Sequence, residues 1–209
     1  MRFFNLIIIL SISYCGWGQD SSAIDESKLI NIATLDTLFA YDVRYATANN
    51  FLEQAVYDCE RCYLLPEVAK ALAEANHYFC ELGYRIVLFD CYRPLSVQKK
   101  MWEIYPNPGY VGNPYGSGSV HNRGAAVDLS LVTLDGDPVD MGTDYDYFGK
   151  EAHIDYTGHS DVVNANRKLL WDGLAKFGFT PIRTEWWHVN YKVNYSLPVL
   201  DYDFDCNNN

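Results

Sequence analysis

Between Pro66 and Asp90 the chain switches its hydrophobic period once, and that switch restricts its fold more than any other stretch. Val68, Ala71, Leu72, Ala75, Phe79 and Leu82 recur at helical spacing, and Pro66 suits a first-turn position. Gly83 ends the helix, and Arg85 to Asp90 follows as a β-branched and aromatic run that reads as a buried strand. A second helix is expected from Ser96 to Ile104. The segment between Tyr105 and Gly118, dense in Pro, Gly, Asn and Tyr, reads as a long loop bordering something functional. From Ala125 to Leu131 the chain alternates, with Ala125, Val127, Leu129 and Leu131 on one side and Ala126, Asp128 and Ser130 on the other. Asp161 is read as the N-cap of a helix through Leu169, Leu170, Leu174 and Phe177 that Gly178 closes, and Glu185 to Val193 as a last strand. This order predicts an α+β fold: a single domain with helices packed on a mainly antiparallel sheet.

At 209 residues with 49% hydrophobic content, there is enough chain for one substantial core. The N-terminus shows one basic residue, an apolar run from Phe3 to about Ser13, then small and polar residues, the pattern of a secretory leader over residues 1–18. The domain then occupies 19–209, in a secreted or periplasmic location. The apolar run is shorter than the roughly 20 residues that cross a bilayer, so no stable membrane insertion is expected after cleavage. Tyr14 stands where lipidation of Cys15 would want a small residue, which disfavours a lipoprotein. Removing Arg2 from the 16 basic residues leaves 15 against 27 acidic ones, a net charge of −12, which repels nucleic acid and anionic lipid. Five cysteines remain after the leader, an odd number, so in an oxidising compartment at least one thiol is left unpaired. Cys59 and Cys62 have the spacing of half a zinc knuckle, but no second pair of Cys or His follows at finger spacing.

Three pieces carry chemistry when taken together: Ser119 to Asp128, Glu185-Trp186-Trp187-His188, and Cys91-Tyr92-Arg93-Pro94. Alone, each has a plain structural reading as a cap, an ion pair or core packing. Jointly they supply two imidazoles and one carboxylate, a set that suits a catalytic zinc whose fourth position stays open.

The HxxGxAxD pattern of His121 to Asp128 and the ExxH pattern of Glu185 to His188 resemble the D-alanyl-D-alanine dipeptidases related to the vancomycin-resistance dipeptidase. The resemblance extends to Asp90-Cys91-Tyr92-Arg93-Pro94, to Tyr45-Ala46-Thr47 with Asn50-Phe51, and to Met141 through Asp146, covering nearly all of the mature chain. It implies one zinc per chain on His121, Asp128 and His188, on the sheet. It also implies Glu185 as general base for a metal-bound water attacking the peptide carbonyl, with Arg93 facing the developing oxyanion. A free dipeptide has an ammonium at one end and a carboxylate at the other. Asp146 matches the family position that meets the ammonium, with Asp144 as a near rival, and Ser119 matches one that helps hold the substrate. Tyr45, Trp186 and Trp187 are candidates to wall the cavity, although the two tryptophans also fit ordinary core packing. Cys91 stands where the family often has glycine, which suggests a disulfide with Cys62 bracing the strand that presents Arg93.

Two other readings of the same residues compete with the dipeptidase: a peptidoglycan carboxypeptidase or endopeptidase of the same zinc superfamily, and a non-catalytic metal-binding module. The pair Glu185 and His188 carries its own geometric demand. Side chains three apart in a regular strand point to opposite faces, so Glu185 is expected before the strand proper, or at a bulge or turn.

Overall fold

The computed structural model describes residues 29–192, 197–204 and 206. The expected leader, Cys15 within it, and Val193 of the last expected strand lie outside the described residues. Along the chain run β1 (Ile30–Asn31), β2 (Ala40–Tyr41), β3 (Tyr63–Leu64), α1 (Pro66–Glu81), β4 (Tyr84–Asp90), α2 (Leu95–Ile104), β5 (Ala126–Thr133), α3 (Asp161–Ala175), β6 (Phe179–Ile182) and β7 (Glu185–Tyr191). A five-stranded sheet has the order β2-β4-β5-β7-β6, in which only the β2–β4 pair is parallel. Strands β1 and β3 form a small separate antiparallel pair. The fold is therefore the single α+β domain that the pattern of periods predicts. Among the described residues, no helix is long and apolar enough to cross a membrane.

Pro66 opens α1, and its stripe of Val68, Ala69, Leu72, Ala75 and Phe79 is buried against β4. Gly83, with φ +89, lets the chain reverse directly into that strand. Helix α3 packs on β6 and on α1, so the two long helices share one side of the sheet. Its cap is Ser160 rather than Asp161: the Ser160 hydroxyl accepts from the Val163 N–H at 3.3 Å from an extended backbone. Asp161 instead occupies the first turn, where its charge faces the positive end of the helix.

Strand β5 is buried from Ala126 to Val132. Val127, Leu129 and Leu131 form its apolar side, and Asp128 and Ser130 the other. Register decides what meets Asp128. A bulge between Leu88 and Asp90 brings Asp90 opposite Asp128, and Asp128 is in turn opposite His188. Directly paired residues point to the same side, so Asp90, Asp128 and His188 line up across three neighbouring strands.

Among the described residues two disulfides are present, Cys59–Cys206 and Cys62–Cys91, and Cys80 is free. The expected Cys62–Cys91 bridge thus forms, and Cys59 and Cys62 serve different bridges rather than a metal knuckle. The C-terminal segment returns across the molecule. Leu200 N–H donates to the Asn122 carbonyl at 2.8 Å, Leu95 N–H to the Leu200 carbonyl at 3.2 Å, and Tyr202 N–H to the Tyr92 hydroxyl at 2.7 Å. Phe204 packs on Tyr57 and Tyr63 just before the bridge at Cys206.

Candidate active site

His121 sits on a short 3-10 turn, His121–Arg123, that Gly124 ends with φ +64. A Cβ at Gly124 would come within 2.9 Å of Leu29, so this tight turn needs glycine for both space and conformation. The turn is latched to the segment after β4: Arg93 N–H donates to the His121 carbonyl at 3.1 Å, and Asn122 Nδ2 to the Arg93 carbonyl at 2.8 Å. His121 Nδ1 lies 2.6 Å from the Cys91 carbonyl and donates to it, which leaves Nε2 with a lone pair. His188 Nε2 lies 3.1 Å from Asn190 Oδ1, so its Nδ1 likewise presents a lone pair.

Those two nitrogens and one oxygen of Asp128 converge. His121 Nε2 is 3.2 Å and His188 Nδ1 2.9 Å from Asp128 Oδ1, and the two nitrogens are 3.1 Å apart. Ligands about 2.0–2.1 Å from a tetrahedral metal lie about 3.3 Å from one another, close to these spacings. Three buried acceptors facing each other repel unless a cation or a proton sits among them, so the donor set fits a divalent metal. Burial alone would raise the Asp128 pKa, but the His121 and His188 imidazoles outweigh it and hold the carboxyl far below its usual range. Burial would lower His188, but a proton on Nδ1 is shared with Asp128, which lifts the pKa to about 8, so the point where the three atoms meet suits a proton or a metal cation in place of the bare lone pair.

Glu185 is the first residue of β7, facing Ile182 across the two-residue turn Arg183-Thr184. The register of β6 then jumps from Ile182↔Glu185 to Pro181↔Val189, so Trp186, Trp187 and His188 bulge unmatched by β6. That irregularity turns Glu185 and His188 toward one point, with Glu185 Oε2 3.9 Å from His188 Nδ1. Burial raises the Glu185 pKa, opposed by His188 and reinforced by Asp128.

One cavity of about 340 Å³ is lined by eight of the residues that the sequence singles out: Tyr45, Arg93, Ser119, His121, Asp128, Asp146, Glu185 and His188. Asp90 holds Arg93 through Nε and Nη2, at 3.0 and 2.5 Å, and Gln98 Oε1 takes a third N–H at 2.9 Å. The Arg93 guanidinium also lines the cavity, with the Tyr57 hydroxyl beside it. Tyr45 donates to Asp146 Oδ2 at 2.9 Å, and burial pushes Asp146 well above the usual carboxylate range. Asp144 does not line the cavity: it meets Arg44 at 3.3 Å, with its side chain 74% exposed.

Over residues 25–202 the sequence matches the model of peptidase family M15, D-ala-D-ala dipeptidase. The chain belongs to the D-ala-D-ala dipeptidase family. A D-alanyl-D-alanine dipeptidase of Escherichia coli (strain K12) is 32% identical over 182 residues, 87% of this chain and 94% of that one. One from Enterococcus faecalis is 34% identical over 177 residues, 73% of this chain and 85% of that one. A third, from Enterococcus faecium, is 32% identical over 172 residues, 71% and 83% of the two chains.

In this dipeptidase-family chain the tryptophans do not wall the cavity. Trp186 and Trp187 are buried, with Trp186 Nε1 donating to Thr143 Oγ1 and the Trp187 ring packed on Tyr145; the aromatic walls are Tyr45, Tyr110 and Phe148. Tyr110 comes from the 105–118 loop, which also supplies Pro108, Gly109, Gly112 and Gly118. The sequence reading gave no role to Asp90, Gln98 or Tyr145. The signal for Asp90 was present, since an acid that closes an apolar strand run must find a partner when buried.

Proposed function

We propose that this chain is an exported zinc-dependent dipeptidase, with one zinc per chain on His121, Asp128 and His188, that hydrolyses free D-alanyl-D-alanine or a closely related dipeptide. The reading is carried by the single cavity that metal donors, Glu185, Arg93, Asp146 and Ser119 share. At about 340 Å³ it lies at the small end of ligand sites, a size for a dipeptide rather than a peptidoglycan stem. Zinc bound there would supply Lewis-acid chemistry, polarising a carbonyl and making bound water acidic.

The remaining roles belong to side chains. Glu185, made more basic than an ordinary carboxylate by burial, takes a proton from water and hands it to the leaving amine. Arg93, clamped by Asp90 and Gln98 on the cavity wall, faces the developing oxyanion without reorganising. Asp146 receives the substrate ammonium, with Tyr45 as a further wall beside it, and Ser119 helps hold the rest of the dipeptide. Two disulfides accord with an oxidising compartment and so with export.

The test is turnover of D-Ala-D-Ala, L-Ala-L-Ala and an N-acylated D-Ala-D-Ala peptide by the zinc-loaded protein. Preference for the free D,D-dipeptide is expected. Faster turnover of the acylated peptide would assign the chain to stem-trimming carboxypeptidases, and no turnover of any would make it a binding module.

A further inference from the structure

The two oxygens of Asp128 do different work. Oδ1 faces both imidazole nitrogens, at 2.9 and 3.2 Å, whereas Oδ2 accepts from the Tyr145 hydroxyl at 3.0 Å. Asp128 is 4% exposed, which limits the access of solvent that could replace that hydroxyl. The ring that carries it is locked in turn, 4.8 Å from Phe89, 5.5 Å from Trp187 and 6.1 Å from Tyr45, measured between centroids. Tyr145 is itself only 5% exposed.

We propose that Tyr145 is a positioning residue whose hydroxyl, by occupying Oδ2, holds Asp128 as a one-oxygen ligand and denies the metal a second bond from the same carboxylate. The inference rests on the proposal that the triad binds zinc. A carboxylate is free to bind a metal through one oxygen or two, and the two modes leave different numbers of places for anything else. With Oδ2 engaged, three protein atoms address the metal, the count of an open catalytic site. With Oδ2 released, the same carboxylate supplies two atoms and the place for a fourth ligand is crowded.

Tyr145→Phe removes the donor and keeps the ring. The protein is loaded with cobalt(II) for its visible bands and with zinc for X-ray absorption, and folding is followed by near-ultraviolet circular dichroism. Wild type is expected to show four-coordinate zinc. In Tyr145→Phe the coordination number is expected to rise by about one, with about a twofold or greater loss of cobalt band intensity. A variant whose cobalt spectrum and zinc coordination match wild type overturns the proposal, as does wild-type zinc with five or more ligands. If Tyr145→Phe does not fold, the wild-type coordination number decides alone, four supporting the inference and five rejecting it. Wild-type protein that takes up neither metal stoichiometrically brings down the zinc reading itself, a failure distinct from an unchanged variant.

Discussion

Replacing Asp146 by Asn separates the charge of the ammonium anchor from its shape. Asp146 has φ +57, a left-handed conformation that Asn tolerates as well as Asp, and the Tyr45 hydroxyl at 2.9 Å finds an amide oxygen in the variant as it found a carboxylate. An incoming ammonium favours the ionised carboxyl that burial disfavours, so in the variant only that charge is lost. An ammonium about 4 Å from a carboxylate gains about 4 kcal/mol at an effective dielectric constant of about 20, and partial solvent access to the cavity reduces that to about 2 kcal/mol. At about 1.4 kcal/mol per decade, kcat/KM for free D-Ala-D-Ala should fall about 30-fold. For N-acetyl-D-Ala-D-Ala, which has no ammonium, the change should stay within about threefold. Steady-state kinetics on both substrates reads the difference, with Asp144→Asn as control. Asp144 is exposed on Arg44, so its loss should cost less than about threefold on either substrate. Equal losses on the free and acylated substrates in Asp146→Asn would refute the anchor and direct attention to Asp144.

Glu185→Gln should keep its zinc, measured by elemental analysis, and lose about 10²–10⁴-fold in kcat, whereas His121→Ala should lose the metal. Because burial raises the Glu185 pKa and the base must be ionised, kcat/KM should fall as pH drops through that raised value, with its acidic limb above the ordinary glutamate range. A pH profile with its limb at an ordinary carboxylate position would contradict this. Replacing Cys59 and Cys206 by Ser opens a bridge between residues 147 apart in sequence and should lower unfolding stability by about 2–5 kcal/mol in a denaturant titration.

The candidate donors and base were legible because their signals are local: His121, the glycine that its turn requires, and Asp128 fall within eight residues, and Glu185 and His188 within four. The conflict between spacing and shared function at Glu185 pointed to a break in the strand, and the irregular β6–β7 register supplies it. Long-range register was not legible. Nothing near Phe89 announces the bulge that places Asp90 opposite Asp128, because that pairing depends on a strand almost forty residues away. The two-residue β2 is too short to display a period, so the one parallel pair of the sheet left no trace in the hydrophobic pattern. Tyr145 was hidden between Asp144 and Asp146, the two acids weighed as partners of an ammonium, and nothing in the sequence marks the residue between them as buried.

The return of the C-terminal segment gives the molecule an order of assembly. The turn that carries His121 is pinned through Asn122 by Leu200, and α2 begins against the same residue. The three candidate donors are all synthesised by residue 188, yet the clasp arrives only with residues 197–204 and with Cys206, which is bonded to Cys59. A nascent chain paused before that point holds the three ligands but not the frame around them. The frame of the His121 turn is thereby completed by a segment 78 residues further on, and a truncation that removes Leu200 is expected to loosen that turn.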